Sequence, residues 1–93
     1  MFVGNDLMAM GVICALQTRG YRIPDDISVI GYDDIELASY TSPPLTTIHQ
    51  PKAELGRLAA DTLIKRIENP GRSHEIKTLR STLVERQSVK TTM

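Results

Sequence analysis

The stretch Ile27-Ser28-Val29-Ile30-Gly31-Tyr32-Asp33-Asp34 constrains the fold more than any other. Ile27, Val29 and Ile30 make a short apolar run rich in β-branched side chains, which suits a strand buried on both faces, and the run stops at two carboxylates. An earlier piece, Phe2-Val3-Gly4, stops in the same way at Asn5-Asp6. Between them Leu7, Met8, Met10, Val12, Ile13, Ala15 and Leu16 crowd nearly every face of a helix over Leu7 to Arg19, which predicts burial against more than one neighbour. Strand, helix and strand in that order read as a right-handed βαβ unit with parallel strands, so Asn5 and Asp33 are expected at one sheet edge. Open parallel sheets take small ligands in the crevice at that edge.

A length of 93 residues suffices for one domain, not two. With 41% hydrophobic and 24% charged residues the chain has the composition of a folded globular protein. Lysine plus arginine number 11, as do aspartate plus glutamate, so no net field recruits a phosphate backbone or an anionic membrane. Cys14 is the single cysteine, which rules out an internal disulfide and fits a reducing, cytoplasmic setting. No leader-like segment and no long apolar stretch is visible, so neither secretion nor a membrane span is expected.

Gly20 follows the first helix where a left-handed residue is favoured, and Pro24-Asp25-Asp26 forms the turn into the Ile27 strand. Ile35 to Tyr40 is read as one or two helical turns. Pro43-Pro44 excludes a helix and favours an extended, exposed segment, after which Leu45 to Ile48 resumes a β-like run. Pro51 suits the first position of a long helix, in which Leu55, Leu58, Ala59, Leu63 and Ile67 recur at three- and four-residue spacing. Asn69-Pro70-Gly71 ends it, and strand-like runs follow at His74 to Leu79 and Thr82 to Arg86. Ser88 to Met93 reads as a polar, frayed tail.

Four blocks in order, Asn5-Asp6-Leu7-Met8-Ala9, Pro24 to Asp34, Pro43 to Pro51 and Leu83-Val84-Glu85-Arg86, resemble the end of the effector-binding domain of lactose-repressor (LacI/GalR) family transcription regulators. Within the family, Ile35 to Tyr40 and the His49 to Lys52 junction most resemble its ribose operon repressors. The resemblance covers residues 2 to about 89 and corresponds to the last third or so of a family member. It implies an α/β fold, part of a two-lobed, doubly wound parallel sheet of the periplasmic-binding-protein type. Residues 1–48 would then belong to the carboxyl-terminal lobe, 49–81 would supply a helix and strand of the other lobe, and 82–93 would be a return strand and tail. It also implies a cytoplasmic, sugar-responsive repressor with a ribose-like effector, no cofactor and no catalysis. A homo-oligomer is expected, with no DNA contact from this stretch and none with membrane.

By that resemblance Asp33 accepts hydrogen bonds from the ligand, for a carboxylate can take two adjacent sugar hydroxyls. Its bland reading is a turn-former at a strand end. Asn5 can donate and accept together, which suits a hydroxyl, or it can simply cap the helix. The preferred division gives the cap to Asp6 and leaves Asn5 to the ligand; Asp34 is left as a solvated or structural neighbour. His49 lies where the chain would cross between lobes, either as a hinge residue or as a polar residue on an exposed connection. Arg86 ties the last strand to a carboxylate or pairs at the surface. Met10 and Cys14, one turn apart, read as core from the residues alone; by the resemblance they join Tyr40, Thr41, Ser42 and Pro43 in a dimer contact. His74 has no partner at metal-ligand spacing, and no metal site is expected.

Other classes compete with this reading. A periplasmic sugar-transport binding protein shares the fold, and a non-catalytic dimerisation module needs only the first helix. An enzyme or phosphoacceptor using Asp33 and Asp34 with magnesium would require a further acidic residue from another strand, which the sequence does not supply.

Overall fold

The computed structural model describes residues 1–71 and 76–90, and the chain divides into two compact units, Met1–Gln50 with the chain from Thr82, and Pro51–Ser81. In the first unit, helix α1 spans Asp6–Thr18. Asn5 caps it: in extended backbone (φ −156°, ψ 167°) its Oδ1 accepts the Met8 amide at 2.8 Å. At the other end Gly20, at φ +88°, bonds to the Gln17 carbonyl while Tyr21 reaches back to that of Leu16. This paired closure needs a left-handed residue where glycine stands.

The expected parallel pairing is present, in a reduced form. Phe2 bridges Ile30 and Ile30 bridges Thr46, both parallel, with Val3 N donating to Ile30 O at 2.8 Å and Gly31 N to Thr46 O at 2.9 Å. The third segment continues as strand β1, Thr47–His49. After the second unit, strand β2, Thr82–Val84, returns antiparallel to β1 with Ile48 opposite Leu83. The Ile30 segment is thus flanked on both sides by parallel neighbours, as its unbroken apolar run predicts, although its pairing is made by isolated bridges. The sheet is shorter than a doubly wound one, and its last pair is antiparallel. Ile35 to Tyr40 yields one 3₁₀ turn, Glu36–Ser39.

The core of this unit is Val3, Ala9, Ile13, Val29, Ala38 and Leu45, with Val12, Leu16, Ile23, Ile27 and Ile35 packed partly against it. Only one stripe of α1 is therefore covered. Leu7 and Met8 are more than half exposed and Cys14 is exposed, contrary to the expectation of burial on nearly every face and of Cys14 in the core. A wholly apolar helix can be covered all round only by neighbours on several sides, and within this unit the sheet offers one.

Two polar residues are fully buried where sequence reading placed them outside. The Asp6 side chain is not the cap; its Oδ1 accepts the Thr47 hydroxyl at 2.6 Å and its Oδ2 the Ile35 amide at 2.9 Å. At the first turn of α1 the carboxylate also meets the positive end of the helix dipole. Gly31 makes room for it, since a Cβ there would run into the Asp6 carboxylate and the Leu45 side chain. Ser88 is the second: its hydroxyl donates to Val29 O at 2.5 Å and accepts the Thr46 amide at 2.8 Å, while its carbonyl accepts the Val29 amide at 2.9 Å. The expected frayed tail is, through Lys90, a structural closure, with the Lys90 amide on Ser28 Oγ at 2.9 Å.

The second unit is built on helix α2, Lys52–Glu68, with Pro51 at the N-cap, one position before the expected one. Its apolar stripe exists as the spacing predicts, yet no residue of α2 is buried. A groove of about 390 Å³ runs along it past Leu55, Leu58, Ala59, Leu63 and Lys77. Of the run expected as a strand from His74 to Leu79, His74 and Glu75 lie outside the described residues, and Ile76 to Leu79 is irregular. No helix among the described residues is long and apolar enough to cross a membrane.

Replacing Asp6 by alanine strands the Thr47 hydroxyl and the Ile35 amide, at about 1–3 kcal/mol for each buried group left without a partner. Gly31→Ala should destabilise by about 1–3 kcal/mol through overpacking. In an Asp6→Ala background its cost should shrink, because the colliding carboxylate is gone. Urea denaturation of the two single variants and the double variant measures this; additive losses would contradict the contact.

Candidate functional site

Parallel register brings the two candidate ligand residues to one edge. Asn5 lies three residues beyond the bridged Phe2, and Asp33 three residues beyond its partner Ile30, so both follow the carboxyl ends of adjacent strands. The intervening segment is the crossover helix α1. Asn5 Oδ1 serves the helix cap, the use that sequence reading gave to Asp6, while its amide nitrogen is a donor that the cap does not use.

The backbone at Asp33-Asp34 is unusual. Asp33 has φ 133° and Asp34 φ 59°, two successive non-glycine residues in left-handed conformations that cost roughly 1–3 kcal/mol each unless their surroundings enforce them. Asp33 nevertheless stays in the parallel ladder. It bridges His49, and its amide donates to Ile48 O at 2.9 Å. The Asp34 amide reaches Thr47 Oγ1 at 3.3 Å, and the next amide, Ile35 N, is taken by Asp6.

Of the two readings of Asp34, solvated or structural neighbour, the second is the one observed. Its Oδ1 accepts Arg86 Nη2 at 2.8 Å and its Oδ2 lies 3.0 Å from His49 Nδ1, with only 17% of the Asp34 side chain exposed. Arg86 is oriented by two further bonds, Nη1 to Leu45 O at 2.9 Å and its own amide to Thr46 Oγ1 at 2.9 Å. The arginine thus ties its segment to a carboxylate, the first of the two roles considered for it. His49 is both polar and partly exposed, and it is engaged by that same carboxylate. Sequence reading named all three residues without joining them; their separations of 15 and 52 positions leave no local signal.

Met10, Cys14, Thr41 and Ser42 line one groove of about 210 Å³ together with Ile13 and Gln17, and Gln17 Nε2 donates to Ser42 O at 2.8 Å. Four of the six residues expected at a dimer contact are therefore neighbours. Among the described residues, no three or more histidine, cysteine, aspartate or glutamate side chains gather as a metal site.

The profile of the periplasmic binding protein-like domain family matches residues 1–89. The ribose operon repressor of Escherichia coli strain K12 is 57% identical over 88 residues, which are 95% of this chain and 27% of that protein. The HTH-type transcriptional repressor PurR of Vibrio atlanticus is 50% identical over 91 residues, 98% of this chain and 27% of its own length. A solved LacI family transcriptional regulator from Enterococcus faecalis, with bound ribose, superposes at a TM-score of 0.84 with 42% identity, over 96% of this chain and 34% of that one. The chain spans about a quarter of the length of the curated relatives it matches.

Burial pushes the Asp34 carboxyl up, but hydrogen bonds and positive charge from Arg86 and His49 outweigh it and hold the group below the usual carboxylate range. A depressed folded-state value means that this link stabilises the fold above the unfolded carboxylate pKa of about 4 and is lost as pH falls through the lower folded value. Urea midpoints compared from pH 7 down to pH 2.5 should show Asp34→Asn less stable than the parent at neutral pH. The gap should close on the acid limb; a gap unchanged at pH 2.5 contradicts the ion pairing.

Proposed function

The chain belongs to the periplasmic binding protein-like domain family, and from that premise we propose that it is the carboxyl-terminal part of the effector-binding domain of a LacI-type transcriptional repressor. The effector is a small sugar of the ribose class, and Asp33 and Asn5 are its contacts from this part of the chain. The observation that carries the proposal is the shared edge: a carboxylate and an amide follow the ends of adjacent parallel strands, which is where open α/β sheets take ligands. The left-handed backbone at Asp33 supports it, since strain of this kind clusters at ligand clamps. So does the ribose held by a relative 42% identical to this chain.

In this reading Asp33 accepts from two hydroxyls and Asn5 donates to a third, with no bond made or broken. The whole repressor would act in the cytoplasm by linkage: a sugar that prefers one arrangement of two lobes shifts the equilibrium that governs operator binding. Residues 1–48 would stand in one lobe and 49–81 in the other, a division supported by the separation of Pro51–Ser81 as its own unit. Self-association would use Met10, Cys14, Tyr40, Thr41, Ser42 and Pro43, supported by the groove that Met10, Cys14, Thr41 and Ser42 share and by the 75% exposure of Tyr40.

With only part of the relatives' length present, most hydroxyls of a bound sugar stay in water, so affinity should be about 1 mM or weaker. Amide spectra of the 15N-labelled chain, titrated with ribose to tens of millimolar, should shift at Asn5, Asp33 and their neighbours. Asp33→Asn should abolish the ribose response. Shifts confined to other residues, or a micromolar constant by calorimetry, would reject this assignment.

A further inference from the structure

Two successive left-handed aspartates persist only where something over-determines them, and the restraints on this turn come from both sides. Behind it, the buried Asp6 carboxylate holds the Ile35 amide and the Thr47 hydroxyl, and the same hydroxyl oxygen receives the Asp34 amide. Ahead of it, Asp34 is gripped by Arg86 and His49. His49 stands one residue before the chain leaves its first unit, after Gln50, and Arg86 four residues past where it re-enters, at Thr82. One carboxylate, adjoining the proposed sugar contact, therefore binds both the outgoing and the returning segment.

We propose that Asp34, with Arg86 and His49, is a positioning latch: it holds the left-handed turn that presents Asp33 at the sheet edge, and it mechanically joins that turn to the two crossing segments. The sugar-binding part of the inference rests on the function proposed above, while the holding of the turn does not. Arg86 suits the task because its guanidinium spans two anchors at once, the Asp34 carboxylate and the Leu45 carbonyl, 2.8 Å and 2.9 Å away, in a fork that lysine cannot reproduce. His49 grips from the adjacent strand, and its Asp33 bridge places it beside the turn it restrains. Releasing either partner leaves the Asp34 carboxylate a single side-chain tether, and the turn, still held from behind through Thr47 and Asp6, loosens at its front. Asp33 then moves although its own side chain is intact.

The test needs two variants, Asp34→Asn and Arg86→Lys, the second conserving charge in case the first fails to fold. Amide hydrogen exchange is read residue by residue, without ligand, and ribose is then titrated at millimolar concentration. The latch predicts that exchange at Asp33 and Asp34 rises about tenfold or more while that at Val3 and Ile30, in the same sheet, keeps the parent rate. Where the parent responds to ribose at Asp33, both variants should lose about tenfold in affinity. A rise spread equally over Val3, Ile30 and Asp33 would mean general loosening and overturn the inference, as would unchanged exchange at the turn. If the parent shows no ribose shifts at Asn5 or Asp33, the sugar assignment falls, and the latch is still decided by the exchange rates.

Discussion

The buried Asp6 carboxylate is the interaction on which the arrangement of the first unit depends. It sits at the first turn of the crossover helix, yet its partners are the hydroxyl of Thr47 and the amide of Ile35, 41 and 29 positions away. A fully buried charge is tolerated only when its oxygens are satisfied, and here both are. Meeting that condition fixes the helix start against β1 and against the turn after the Ile30 segment. Glycine at position 31 is part of the same solution, because the carboxylate occupies the space any side chain there would need. A single acidic residue thereby sets the distance between helix, turn and strand.

Much of this was legible before any coordinates. The apolar run ending in Asp33-Asp34 announced a central parallel strand, and the Phe2 and Thr46 bridges flank Ile30 accordingly. Gly20 announced the helix stop and takes the left-handed angle. These features are local: a period, a cap or a glycine speaks for itself within a few residues. The misread residues were polar groups whose partners lie far along the chain. Asp6 looked like a cap because capping is the local use of an aspartate, and Asn5 took the cap while Asp6 was drawn inward by Thr47. Ser88 looked like tail because the stretch after it is mostly polar, whereas its partners are Val29 and Thr46.

The candidate site shows the same split. Asn5 and Asp33 could be placed at one edge from topology alone, since handedness and parallel order follow from a strand, helix and strand. The linkage of Asp34, His49 and Arg86 could not, for side chains separated by 52 positions meet only once the return strand is laid down. Family resemblance supplied the proposed ligand class, and physical chemistry supplied what these residue types can do with it. The exposure of α2 is a third instance: its periodicity was evident, while what covers that stripe is not a property of periodicity at all.

The burial of Ser88 has a practical corollary for anyone trimming this gene. Its hydroxyl and carbonyl together engage three backbone groups of Val29 and Thr46, in the two neighbouring segments joined by the bridge between Ile30 and Thr46. A stop codon placed just after Gln87, which sequence alone would commend as removal of a floppy end, would unplug the floor beneath two neighbouring segments. The domain boundary therefore belongs no earlier than Lys90, whose backbone amide is still fastened to Ser28.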